Sequence, residues 1–219
     1  MNLLAGGTGF LGNNILKELG NIKTENIVIT RKDVPNLPEN TNELIIDFDN
    51  LLELEIPNIN HVYLSLGYPL LYHNVMGFMS DSLKKDFYLV DFIYQLQIAK
   101  KAKEAGATSI SLISAAGANS NSKNYYLKIK GMLEEEIIKM DFESTNIFQS
   151  GHLRGNKFRV DIVFADFISI IFDPFLYGIL KKFRSISAQK VAWRVANNSL
   201  NPKDGINYFR YSDFIKANL

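Results

Sequence analysis

Short apolar runs alternate along the chain with longer stretches in which apolar residues recur every three to four positions. Six runs read as strands: 2–5, 26–30, 43–46, 61–66, 109–114 and 145–148. Most are continuously apolar, the pattern of strands covered on both faces. Between them lie helical periods. Residues 10–19 place Leu11, Ile15, Leu16 and Leu19 on one face, with Gly20 as a stop. Residues 87–105 carry a stripe through Leu89, Phe92, Ile93, Leu96 and Ala99, closed by Gly106, and residues 126–140 form a third helix with a polar face of lysine and glutamate. Strand and helix in alternation predict an α/β protein, a Rossmann-like doubly wound parallel sheet.

After about residue 150 the alternation weakens, and 160–183 reads as aromatic-rich helices. The expectation is a single domain over 1–219, with 150–219 forming a small helical C-terminal cap on the substrate side. The aromatics Phe164, Phe167, Phe172, Phe175 and Tyr177 are expected to form the core of that cap. Lining a pocket or touching a membrane surface is the other reading of them. Lys181, Lys182 and Arg184 read as a solvated helix end.

Composition narrows the function. Apolar residues make up 47% and aromatic residues 12% of the 219 positions, which suits a folded enzyme and not a disordered chain. Lysine and arginine number 24 against 23 acidic residues, a formal net charge of +1, so nucleic acid is not an expected partner. There is no cysteine, which removes disulfides, zinc–thiolate sites and a cysteine nucleophile. His61, His73 and His152 lack metal-ligand spacing, and no metal is expected. The stretch 160–180 is interrupted by Asp161, Asp166, Asp173 and Pro174, so no membrane span is predicted. A glycine loop near residue 6 replaces the apolar core of a secretion signal, and the expected location is the cytoplasm.

The first strand runs directly into Gly6-Gly7-Thr8-Gly9-Phe10-Leu11-Gly12 and then into a helix. Such a turn brings a pyrophosphate onto the backbone at the positive end of the helix. The spacing through Gly6, Gly9 and Gly12 is G-x-x-G-x-x-G, not the G-x-G-x-x-G of longer Rossmann dehydrogenases. At the end of the second strand, Thr30 is followed by Arg31 and Lys32, where a preference for NAD would put an acidic residue. An arginine there can pair with a 2′-phosphate, so NADP(H) is expected ahead of NAD(H), which stays compatible.

Tyr126 and Lys130 are four residues apart, on one face of a helix. A lysine cation one turn away stabilises a phenolate and suits tyrosine to proton transfer. The fifth strand ends at Ser114, a hydroxyl placed to hold a substrate carbonyl beside the phenol, with the polar loop 118–124 following.

With these residues in place, the chain resembles the short-chain dehydrogenase/reductases, in particular the atypical branch that includes the Tat-interacting-protein oxidoreductase and its bacterial relatives. The likeness rests on the glycine turn, Thr30-Arg31-Lys32, Asp47-Phe48, Ser65-Leu66-Gly67, Val90-Asp91, 112–118, and Tyr126 through Lys130 with Gly131 and Glu134. It implies that Asp47 and Phe48 border the adenine and that Leu66 and Gly67 line the path of the cofactor. It further implies that Tyr126 donates the proton, that Lys130 also holds the nicotinamide ribose, and that Ser114 orients the substrate.

Three departures stand out. Ala115 occupies a position where relatives often carry a second serine. Gln149-Ser150-Gly151-His152 stands where they often show Arg-Pro, and Asp91 falls near a position where many use asparagine. The implied function is NADPH-dependent reduction of a small carbonyl compound, with a small-molecule substrate and a homodimer compatible. The rival is a non-catalytic NADPH-binding regulatory, redox-sensing or assembly protein. An extended sugar-nucleotide epimerase or dehydratase is disfavoured by the short segment 149–219 after the sixth strand.

Overall fold

The computed structural model describes residues 1–155, 166, 169 and 171–216. Its centre is a seven-stranded parallel sheet of β1 (Asn2–Ala5), β2 (Asn26–Thr30), β3 (Thr41–Ile45), β4 (His61–Leu64), β5 (Ser109–Ala115), β6 (Ser144–Ser150) and β9 (Gly205–Phe209), in the order β3-β2-β1-β4-β5-β6-β9. The order reverses at β1, which pairs with β2 on one side and β4 on the other. That switch point is where an open α/β sheet leaves a crevice at its carboxyl edge. Two residues of β7 (Leu153–Arg154) and β8 (Ile186–Ser187) form a separate small ladder.

Alternation along the strands divides the core in two. Leu3, Ala5, Ile27, Ile29, Val62, Leu64, Ile110 and Leu112 face one helical layer, while Leu4, Val28, Tyr63 and Phe148 face the other. The first layer holds α5 (Tyr125–Lys139) and one long helical run: α3 (Asp81–Tyr88), a π-helical turn (Leu89–Tyr94) and α4 (Gln95–Glu104). The second holds α1 (Phe10–Gly20) and α6 (Ala188–Asn198). This is the Rossmann-like doubly wound architecture expected from the alternation of elements.

Local chemistry explains the boundaries. The long run begins at Asp81, earlier than the apolar stripe suggests, because the Ser80 hydroxyl accepts from Leu83 N–H at 3.3 Å and caps it. It ends before Gly106, whose φ is +91°. Asn124 caps α5 in the same way, accepting from Leu127 N–H at 3.2 Å. The strand expected over 61–66 stops at Leu64, and Ser65 to Gly67 turn out into the crevice.

Part of the segment read as a cap is drawn into the main body. α6 packs along α1 through Val191, Ala192, Val195 and Ala196, all fully buried, the small alanines letting the two helices approach closely. β9 pairs with β6 in parallel from Gly205 to Phe209. It escapes a sequence reading because it is an edge strand, in which only Phe209 is buried while Ile206 and Tyr208 stay exposed.

The aromatics expected in a cap core are also relocated. Phe172, Phe175 and Tyr177 are 61%, 66% and 67% exposed, in or just before short 3-10 turns that cannot present one continuous apolar face. Phe164 and Phe167 lie outside the described residues. Arg184 is not a solvated helix end: it donates to the carbonyls of Leu176 and Pro174 and pins those turns. Short α2 (Tyr72–Val75), α7 (Tyr211–Phe214) and a 3-10 turn over Phe48–Glu53 are further described elements. No described helix is long and apolar enough to cross a membrane.

Candidate functional site

The glycine turn closes β1 onto α1 with no room for a side chain at Gly6 or Gly12. A Cβ on Gly6, whose φ is +95°, would sit 2.5 Å from the Ser65 carbonyl oxygen, and one on Gly12 would sit 1.9 Å from Gly6 O. Gly9 caps α1 without any side-chain acceptor. The first amides of the helix are therefore left for an anion.

Beside the turn lies a first cavity of about 80 Å³ at the ends of β1, β2 and β4. Of the residues expected to hold the cofactor, Gly6, Thr8, Gly9, Thr30, Arg31, Phe48, Leu66 and Gly67 line it. Gly7 and Gly12 lie behind the turn and permit its closeness to Val28 and to Gly6. Leu11 is buried in the α1 core, and Lys32 and Asp47 are exposed. Asp47 accepts from Asp49 N–H at 3.1 Å and so caps the following 3-10 turn.

The rim of this cavity is an aromatic and charged cluster that the sequence reading found only in part. Arg31 stands 5.7 Å over the Phe48 ring, and Tyr94 meets Phe48 edge-on at 5.6 Å. Tyr94 donates to Asp49, and burial followed by that carboxylate pushes its hydroxyl up to about 12. Tyr94, Ser65 and Val90 line this cavity as well, beyond the residues expected there, and Tyr94 carries no local signal other than its place in the helical period 87–105.

A second, larger cavity of about 480 Å³ opens past the ends of β5 and β6. Ser114, Tyr126 and Lys130 all line it, so the three expected catalytic residues share one space. Lys130 Nζ lies 2.7 Å from Asp91 Oδ1, and both side chains are buried. Asp91 comes from the π-helical turn, and its other oxygen accepts from Tyr68 N–H at 2.7 Å. Burial pushes the Asp91 carboxyl up, against the pull of Lys130 and the Tyr68 amide. Burial opposes the Lys130 charge, but Asp91, Tyr126 and Glu134 together raise that group and hold it cationic.

Tyr126 also differs from the simple expectation. Burial raises its hydroxyl, Lys130 works to lower it, and Asp91 raises it again. The lysine limits the rise but does not reverse it. Phe87 packs 5.5 Å from the Tyr126 ring and fixes its orientation.

Ser114 is tied to a buried network. It bonds Glu134, whose two oxygens each accept from Gln149 Nε2 at 3.1 Å, and Gln149 Oε1 in turn accepts from Arg210 Nε at 3.1 Å. With both Glu134 oxygens acting as acceptors, the serine hydrogen points to Glu134 and only its lone pairs remain for a ligand. Glu134 sits above the usual carboxylate range through burial, with Ser114 and Gln149 pulling it back. Gln149 and Arg210 were not anticipated here, since their link joins β6 to the end of β9, a strand the periodicity missed.

Comparison with known proteins adds two findings. No protein-family model matches the chain. Among curated proteins, it is 41% identical over 73 residues to "Protein FMP52, mitochondrial" of Debaryomyces hansenii, 33% of this chain and 32% of that protein. It is 27% identical over 177 residues to the protein of the same name from Eremothecium gossypii, 80% of this chain and 76% of that one. The stronger identity thus spans about a third of the relative's length. Both names place those relatives in mitochondria, which overturns the cytoplasmic expectation. That expectation rested on the lack of a secretion-type apolar core, and this excludes only one route of targeting.

Among solved structures, human epimerase family protein SDR39U1 with NADPH superposes with a TM-score of 0.66 at 15% identity, covering 95% of this chain and 73% of that one. The likeness expected from the glycine turn and the Tyr126–Lys130 spacing is borne out at the level of architecture. At this identity the superposition shows a shared fold, the α/β fold of that epimerase family protein.

Proposed function

We propose that the protein is an atypical short-chain dehydrogenase/reductase that uses NADPH to reduce a small carbonyl compound, in the mitochondrial setting of its yeast relatives. The observation that carries this reading is the placement of Tyr126 and Lys130 in the 480 Å³ cavity, on the same carboxyl edge of the sheet as the glycine turn. The residues fit a dinucleotide: Gly6 and Gly12 have no space for a Cβ, the α1 amides have no side-chain cap, and Arg31 lines the adjoining cavity. Arg31 supports a 2′-phosphate there, and NADH is the weaker alternative.

Bound NADPH would supply the hydride that reduces the carbonyl carbon. Tyr126 gives its proton to the carbonyl oxygen as negative charge gathers there. Lys130 stabilises the phenolate left behind, and Asp91 holds the lysine in position. Ser114, committed to Glu134, shapes the wall beside the phenol rather than donating to the substrate.

The test is to titrate NADPH and NADH by fluorescence and then follow NADPH oxidation across a panel of carbonyl compounds. Tight NADPH binding with no turnover on any of them would favour the regulatory reading instead.

A further inference from the structure

The large cavity has a mostly apolar wall, including Leu70, Val75, Met76, Leu127, Leu153 and Phe183. Several of its polar side chains are already committed. Asn124 caps α5 and donates to Val75 O, Ser114 bonds Glu134, and Lys130 is paired with Asp91. His152 differs. It follows β6 in the segment that stands where relatives often show Arg-Pro, and it lines the cavity.

The ring is held on two sides. Its Nε2 lies 2.5 Å from Asp166 Oδ1, whose second oxygen accepts from Gly155 N–H at 3.0 Å. The edge of Tyr72 meets it at 6.0 Å and 88°. A carboxylate accepting from Nε2–H selects the tautomer in which Nδ1 is an acceptor. Nδ1 makes no bond among the described residues, and His152 is one of the residues that line the cavity.

We propose that His152, oriented by Asp166, accepts a hydrogen bond from a substrate hydroxyl, so that the cavity selects a hydroxylated carbonyl compound with an apolar body. This rests on the reductase reading for the carbonyl, but the hydroxyl preference stands on His152 alone. A site built to bond a hydroxyl discriminates against the analogue lacking it, because its own partly buried acceptor is then left unpaired.

The test measures dissociation constants of three probes from the NADPH-bound protein. Phenylacetone is the reference; phenylacetylcarbinol and para-hydroxyphenylacetone carry a hydroxyl close to and far from the carbonyl. At least one hydroxylated probe is expected to bind about tenfold tighter than phenylacetone. His152→Leu should bring that ratio to about one, and His152→Gln, which keeps an acceptor, should restore part of it. Thermal melts confirm that each variant is folded.

A ratio near one in the unaltered protein, or a ratio that His152→Leu leaves intact, overturns the inference. NADPH oxidation is read in the same samples. A His152-dependent preference without oxidation supports the inference while sinking the reductase reading, whereas oxidation without the preference does the reverse.

Discussion

Lys130 and Asp91 form an ion pair of 2.7 Å beneath the large cavity, with both side chains almost wholly removed from solvent. Removing one partner of such a pair strands the other charge, a loss of about 3–5 kcal/mol. Asp91→Ala is therefore expected to lower the melting temperature sharply. Adding Lys130→Met should recover most of the loss. If the two changes are simply additive in a double-mutant cycle, the pair is not the structural unit described here.

Tyr126 is the test of chemistry. Tyr126→Phe keeps the ring packed on Phe87 and removes only the hydroxyl. Turnover of a confirmed carbonyl substrate should fall by about 10²–10⁴-fold, with NADPH affinity near its original value. Full activity in this variant would eliminate Tyr126 as the proton donor.

Arg31 is the test of cofactor choice. A charge-assisted hydrogen bond contributes about 1.5–3 kcal/mol, so Arg31→Ala should weaken NADPH about 10–100-fold and change NADH little. Equal losses for both cofactors would mean that Arg31 serves the Phe48 rim and not the phosphate.

His61 gives a prediction in pH. It is fully enclosed in β4, and burial lowers it from 6.5 to about 3. The folded protein keeps it neutral while the unfolded chain takes up a proton below about pH 6.5. Stability from this group is thus complete above that pH and is lost as pH falls toward 3. At pH 5 the loss is about 2 kcal/mol. Unfolding free energies from denaturant melts at pH 7 and pH 5 should differ less in His61→Gln than in the unaltered protein, by about that amount.

The sheet was legible in the sequence, because buried parallel strands, with residues such as Val28, Ile29, Val62 and Leu64, leave continuous apolar runs. The glycine turn was legible for a different reason: Gly6 and Gly12 are demanded by backbone contacts, within the turn itself and with Ser65 at the end of the neighbouring strand. Partnerships across the fold were not legible. Nothing local marks Asp91 as the partner of Lys130, Glu134 as that of Ser114, or Asp166 as that of His152. Exposure of Phe172 and Phe175 was also unreadable, since an aromatic-rich segment looks the same whether it packs inward or is held outward by Arg184.

The bond from Arg210 to Gln149 makes the outermost strand a tether as well as an edge. Through Glu134 it reaches the serine in the wall of the cavity. A protease cut near Asp204, a bulky tag fused after β9, or a foreign strand competing for β6 would therefore be sensed at the binding cavity before the sheet itself came apart.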